Sequence, residues 1–326
     1  MTTPTLLPDV HFDPDDQCYK TDDTLVVDDL IATMNMPLSA TYQLTRDCNL
    51  RCAYCSEPPG IRTSTLDLHK EKIDKLAGMR RIILSGGEPM DYPHFWDILE
   101  YVQGKFELIV LSTNATRIKR NDAARLKGMV DYVDVTVDGP RYQHNRIRGS
   151  YDAVIEGLMH LKLADIPLSV ICVYMPAEKP DGRNLLKKPR PTNRDVMHYI
   201  CQQGDLLGAV KVKILTPIPK GRSAGFFEDF ATGAQLDELA DFLAGEKAKN
   251  GWRSRIIISD WMKIGQGHAW LIEPDGRVIA SPVWDHEDCY EPFGNLTTQT
   301  GTELWAAYPY QRQHLAKYLE RTLIVR

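Results

Sequence analysis

The sequence predicts an α/β fold on an open parallel sheet: a partial (β/α)6 TIM-like barrel followed by a small α+β C-terminal domain. Three observations predict it. From about residue 40, short runs rich in Val, Ile, Leu and Tyr alternate with helix-length amphipathic stretches. Such alternation implies βαβ units and a parallel sheet. Six of these runs precede residue 222, short of the eight that close a barrel, and beyond it the pattern changes.

The six strands are expected over residues 40–44, 81–84, 108–112, 132–137, 168–174 and 210–215, each bounded by turn residues. Helices are expected near 65–77, 93–103, 117–128, 151–164 and 193–204. In the fourth, Val154, Leu158 and Leu161 recur at helical spacing. Residues 179–193 are rich in Pro and Lys and read as a surface connection. After 222 come a helix near 234–248, a strand over 255–259 and a hairpin, 270–272 with 277–280, turning at Pro274-Asp275-Gly276. A last helix is expected over 302–320. The domains are therefore an acidic N-terminal extension (1–39), a barrel core (40–222) and a C-terminal domain (223–326).

The chain of 326 residues is 43% hydrophobic and 25% charged, which excludes a disordered or fibrous protein. No apolar run nears the roughly 18 residues of a membrane span. No basic-then-apolar segment opens the chain, so a cytoplasmic protein is expected. Eight Asp and one Lys put a charge of −7 on residues 1–30, so the total of −5 leaves +2 for the rest. A nearly neutral body argues against bulk nucleic-acid binding. The leader reads as a solvated arm, with a lid or docking segment as the alternative.

Seven cysteines are present: Cys18, Cys48, Cys52, Cys55, Cys172, Cys201 and Cys289. Three sit in Thr45-Arg-Asp-Cys48-Asn-Leu-Arg-Cys52-Ala-Tyr-Cys55, spaced Cys-x3-Cys-x2-Cys. This loop follows the first core strand, at the end where α/β barrels carry their catalytic loops. Clustered cysteines without an export signal point to metal rather than disulfides. Three thiolates can hold three irons of a [4Fe–4S] cluster and leave the fourth open to a substrate or cofactor. Zinc is the alternative, with His69 as the nearest fourth ligand, although structural zinc wants four.

This segment resembles the signature of the radical S-adenosylmethionine (SAM) superfamily in its triad, the aromatic Tyr54 before the last cysteine, and its place after the first strand. The resemblance extends over residues 40–222 and implies one [4Fe–4S] cluster on Cys48, Cys52 and Cys55. It also implies SAM bound at the open iron and cleaved by one electron to methionine and a 5′-deoxyadenosyl radical, which takes a hydrogen from the substrate. Ser85-Gly86-Gly87-Glu88-Pro89 is similar to the family's GGE motif. There Gly86 and Gly87 allow close approach to the methionine end of SAM, and Glu88 accepts from its amino group. Ser112-Thr113-Asn114 resembles Thr-Asn-Gly, with Ala115 where glycine is usual. Thr113 and Asn114 either face SAM or cap the strand end. Asp138-Gly139-Pro140, then His144, Arg146 and Arg148-Gly149, resemble a stretch of the SPASM/Twitch branch. Arg148 then pairs either with the SAM carboxylate or with Asp138, and Asp138 contacts ribose or substrate.

The tail from Leu271 to Ala280, with Gly294-Asn295-Leu296 and Leu304-Trp305, resembles the opening of a SPASM or Twitch domain. Cys289 is the one cysteine beyond that hairpin, too few for an auxiliary cluster, so a cluster-free Twitch-like cap is expected. From this, and from the short leader, we expect a small-molecule substrate (a sugar, aminoglycoside or nucleoside). Radical modification of a ribosomally made peptide is the alternative, and a non-catalytic iron–sulfur redox protein the alternative of another class. A reducing partner such as flavodoxin or ferredoxin is implied. If the enzyme is an epimerase, Cys289 is the first candidate hydrogen donor and Cys172 the second; packing is the plainer account of both. Lys187, Lys188 and Arg190 read as loop charges or a phosphate site, and Trp261, Trp270 and Trp284 as core or a stacking surface.

Overall fold

Eleven of the thirteen described strands share one sheet. The computed structural model describes residues 10–13, 18–21, 36–57, 63–175, 193–218, 220–224, 231–259, 269–280, 291–308 and 323–325. Strands β1 (Val10–Asp13) and β2 (Cys18–Thr21) form a separate antiparallel pair. The core begins with β3 (Ser39–Gln43), followed by α1 (Leu66–Asp74), β4 (Arg81–Ser85), α2 (Phe95–Tyr101) and β5 (Leu108–Thr113). Then come α3 (Arg120–Leu126), β6 (Tyr132–Thr136), α4 (Arg141–Ile147), α5 (Tyr151–Leu163) and β7 (Leu168–Val173). Helix α6 (Asn193–Leu207) leads to β8 (Lys211–Leu215). The remainder is α7 (Gly233–Asn250), β9 (Arg255–Ser259), β10 (Ala269–Ile272), β11 (Arg277–Ala280), β12 (Pro292–Asn295), α8 (Gly301–Ala306) and β13 (Leu323–Val325).

Strands β3 to β8 lie side by side, parallel and in chain order, as the six-stranded open barrel requires. The sheet continues past both edges. Strand β9 adds parallel to β8, and β13 closes that side antiparallel. On the other side β10 pairs parallel with β3, and β11 and β12 follow as a meander. The expected hairpin is present, and its turn takes a positive φ of 89° at Gly276.

Period-two alternation gives the sheet two chemically distinct faces. One row of register partners, Val135, Val170, Val212 and Ile256, is buried and apolar. It faces the helices: a methyl at Gly204 of α6 would sit 2.5 Å from Val212. The adjacent row, Ser112, Asp134, Ser169, Lys211 and Arg255, is polar and lines the inside of the curve. Lys213 Nζ donates to Asp134 there at 2.9 Å. Burial alone would raise the Asp134 pKa, but Lys213 and Lys211 outweigh it and hold the carboxyl below its usual value.

Cys172 belongs to the helix-facing parity of β7, with Val170, and is fully buried; packing, not access to the lumen, is its role. Helix α4 was not expected, because Arg141–Ile147 carries no apolar repeat at helical spacing. No helix among the described residues is long and apolar enough to cross a membrane.

Candidate active site at the cysteine loop

The loop after β3 carries Cys48, Cys52 and Cys55 at the C-terminal end of the barrel strands, and all three thiols are free. Four segments hold it. The β4 loop comes first: Gly87 N donates to Thr45 O at 2.7 Å and Glu88 N to Asp47 O at 2.8 Å. A Cβ on Gly86 would lie 2.4 Å from Thr45 O, and one on Gly87 2.2 Å from Asp47 O. The two glycines thus let the motif approach the cysteine loop's own backbone. The end of α4 is second, with Ala53 N donating to Ile147 O at 2.9 Å. Third is the segment after β8, where Arg222 N donates to Cys55 O at 2.9 Å and Arg222 Nε to Cys52 O at 2.8 Å. The fourth is the β10–β11 turn, through an ion pair of Arg46 with Glu273.

Glu88 is fully buried. Its carboxylate accepts from Thr113 Oγ1 at 2.7 Å, Asn114 N at 2.8 Å and Met90 N at 3.2 Å, joining the end of β4 to the end of β5. Burial nevertheless pushes its pKa up to about 7. Thr113 Oγ1 also accepts from Ala115 N at 3.0 Å. Ala115 adopts φ 61°, so this turn keeps the left-handed geometry that glycine would give it, at a cost of about 1–2 kcal/mol. Asn114 Nδ2 donates to Asn49 at 2.9 Å, with Cys48 Sγ at 3.9 Å.

On the other flank, Asp138 is buried and accepts from Val173 N at 2.9 Å and from the Tyr54 hydroxyl. Arg148 Nη1 donates to the same hydroxyl at 2.9 Å, and its Nε lies 3.6 Å from Asp138. Of the two readings open for Arg148, the geometry supplies the pairing with Asp138. His144 Nδ1 accepts from Asp138 N at 3.2 Å; burial lowers its pKa to about 4, so it is neutral.

The residues present fit an iron–sulfur cluster. Cys48, Cys52 and Cys55 lie within electrostatic reach of one another, and burial pushes the Cys48 thiol up to about 11, so a cationic partner is what would make these groups thiolates. Yet no three His, Cys, Asp or Glu side chains among the described residues converge on one point as a single metal ion needs. A cubane spreads its thiolates over separate irons, so it does not need that convergence. His69 is spent elsewhere: it is fully buried, and its Nδ1 meets the Tyr42 hydroxyl at 2.8 Å. Lys187, Lys188, Arg190, Trp261, Trp284 and Cys289 lie outside the described residues. Trp270 is core, packed edge-on against Phe293. Sequence reasoning missed Arg46, Lys220, Arg222 and Glu273; no local pattern marks them, since their partners lie up to 227 residues away.

Residues 42–188 match the family model described as the radical SAM superfamily. Among curated proteins, the chain is 29% identical over 304 residues to mycofactocin maturase MftC of Mycobacterium ulcerans, covering 86% of this chain and 77% of that one. It is 31% identical over 136 residues to AlbA of Bacillus subtilis, an antilisterial bacteriocin subtilosin biosynthesis protein, covering 39% and 30%. Among solved structures, Streptococcus suis SuiB bound to its precursor peptide SuiA aligns with a TM-score of 0.67 at 12% identity, covering 86% of this chain and 66% of that chain. SuiB bound to S-adenosylmethionine aligns with a TM-score of 0.65. These relatives correct one expectation. A sugar, aminoglycoside or nucleoside substrate was inferred from the short leader and the lack of cysteines in the tail, but the relative matched along most of the chain is named a maturase. Neither the leader's length nor the cysteine count reports on substrate class.

Proposed function

We propose that this chain, whose residues 42–188 match the radical SAM superfamily model, is a radical SAM enzyme that uses a [4Fe–4S] cluster and SAM, and that it modifies a peptide. The similarity to a maturase over 86% of this chain carries the reading. Epimerisation and crosslinking are the reaction classes we propose for it. Cys48, Cys52 and Cys55 would hold the cluster, which when bound supplies the electron that cleaves SAM. Gly86, Gly87 and Glu88 set the floor of the SAM site by fixing the β4 loop to the cysteine loop. Thr113 and Asn114 hold its β5 side. Tyr54, Asp138 and Arg148 hold the opposite side, where hydroxyl, carboxylate and guanidinium form one buried chain that excludes water from Cys52.

Along the chain we infer a cofactor-bearing core that begins with the buried Met36, Leu38 and Ser39 rather than at residue 40 and runs to about 222, with the strands of 223–326 extending its sheet on both sides. An external one-electron reductant such as flavodoxin or ferredoxin completes the system.

The test is anaerobic. Reconstituted protein with SAM and dithionite is offered short peptides encoded beside its gene, and both peptide mass and 5′-deoxyadenosine are followed. The expected result is a mass change, or deuterium uptake from heavy water, in one peptide, with deoxyadenosine release rising with that peptide's concentration. Deoxyadenosine formed at the same rate with and without every such peptide, none of them altered, overturns the peptide reading.

A further inference from the structure

Lys220, Gly221 and Arg222 leave the end of β8 and cross the cysteine loop from the side opposite the β4 motif. Contacts from all three residues define the crossing. Arg222 reaches Cys52 O with its side chain at 2.8 Å and Cys55 O with its backbone N–H at 2.9 Å. Gly221, at φ 62°, lies so close that a Cβ there would be 2.6 Å from Ser56 O and 2.8 Å from Cys55 O. Lys220 Nζ lies 3.8 Å from Glu57 and 3.7 Å from Glu273, bridging the loop's exit and the hairpin turn. The fully buried Ser223 holds the crossing in shape, its Oγ donating to Lys220 O at 2.8 Å.

Two of the three cysteines thus have their carbonyls held by one residue of the segment that follows β8, a strand five places away from β3 in the sheet. A loop with three thiols and no regular structure has many conformations, and each costs entropy to exclude. Hydrogen bonds from a charged donor are the stronger kind, and this one is half-buried. Its guanidinium also lies within electrostatic reach of Cys52, together with Arg148.

We propose that Arg222 is a positioning residue for the iron–sulfur cluster: the Lys220–Gly221–Arg222 crossing is a strap that holds Cys52 and Cys55 in register for ligation. The inference rests on the cluster assignment above and adds a residue to it. It predicts that cluster retention depends on a residue that is no ligand and belongs to neither the GGE motif nor the cysteine motif. It also predicts that the strap's charge favours the reduced, more negative cluster.

The test compares Arg222→Ala, Arg222→Lys and Gly221→Ala with the wild-type protein, all anaerobically reconstituted. Four irons per chain in the wild type, and none in the variant with all three cysteines replaced by Ala, establishes the cluster itself independently of the strap. Iron release to a chelator is then timed, and the reduced cluster is examined by electron paramagnetic resonance and redox titration. We expect release at least tenfold faster in Arg222→Ala, with a lower midpoint potential and an unfolding temperature of the iron-free protein close to wild type. Arg222→Lys, which can still donate to Cys52 O, should recover most of the retention. Gly221→Ala should lose iron with the Arg222 side chain intact, which separates a displaced strap from a missing charge. Release rate and spectrum unchanged in both Arg222→Ala and Gly221→Ala would overturn the proposal. So would equal loss in Arg222→Ala and Arg222→Lys together with a collapsed unfolding temperature, because that marks a plain folding defect.

Discussion

The two flanks of the cysteine loop are built from opposite charge. Beside Cys48 stands a carboxylate, Glu88, satisfied by three neutral donors. Beside Cys52 and Cys55 stand Arg148, Arg222 and Lys220. Acids hold the cationic side in turn: the buried Asp138 receives Arg148, and the half-buried Glu57 and buried Glu273 receive Lys220. A group met only by neutral dipoles relieves burial by keeping its proton, whereas groups met by ions keep their charge. The first flank should therefore respond to pH and the second to loss of a partner.

The largest effect should come from Arg148→Ala. It leaves Asp138 buried with the Tyr54 hydroxyl and Val173 N but no cation, and should cost about 3–5 kcal/mol. Denaturant unfolding of the iron-free protein measures it; a loss under about 1 kcal/mol would show that dipoles alone hold this flank too.

Next is Glu88→Gln, read through pH. The folded carboxyl titrates near 7 and the unfolded one near 4.5, so between these values the folded chain holds more protons. Stability therefore falls as pH rises from about 4.5 to about 7 and is level above, a total of about 3 kcal/mol for this group. The glutamine variant should lack that component, so wild type minus variant traces the slope. A difference that is flat across this window places the Glu88 pKa at an ordinary value and removes the contrast between the flanks.

The smallest effect sharpens the turn that follows Glu88's partners. Ala115→Gly relieves a left-handed alanine and should stabilise by up to about 1 kcal/mol, offset in part by the freer unfolded chain. A destabilised variant would mean that the Ala115 methyl, packed near Gly157 of α5, is worth more than the strain.

How much of this was legible in the sequence follows from the range of each interaction. The strands were readable because a parallel sheet covered on one face writes apolar residues at every second position, as in Tyr42, Leu84, Leu111 and Val133. The triad and the GGE motif were readable because their spacing is local. Helix α4 was not, because its one buried residue, His144, is polar. The strap was not, because residue 222 marks a change of pattern and reads as a boundary, while its partners are Cys52 and Cys55. Strand β10 was recognisable as half of a hairpin, but a four-residue strand carries no mark of the parallel neighbour it will choose.

That last pairing sets a clock on the ribosome. Strand β3 lies beside β10, with Ser39 opposite Ala269, and the ion pair of Arg46 with Glu273 follows just beyond. About 230 residues must be made between the two strands, which at 5–20 residues per second takes about 10–50 s. For that time the cysteine loop lacks the hairpin turn, and for most of it the strap as well. Its three thiols are then exposed to stray metals and oxidants. The native loop is completed only late in synthesis, so iron and sulfide delivered to this protein would meet a receptive loop only once nearly the whole chain has been made.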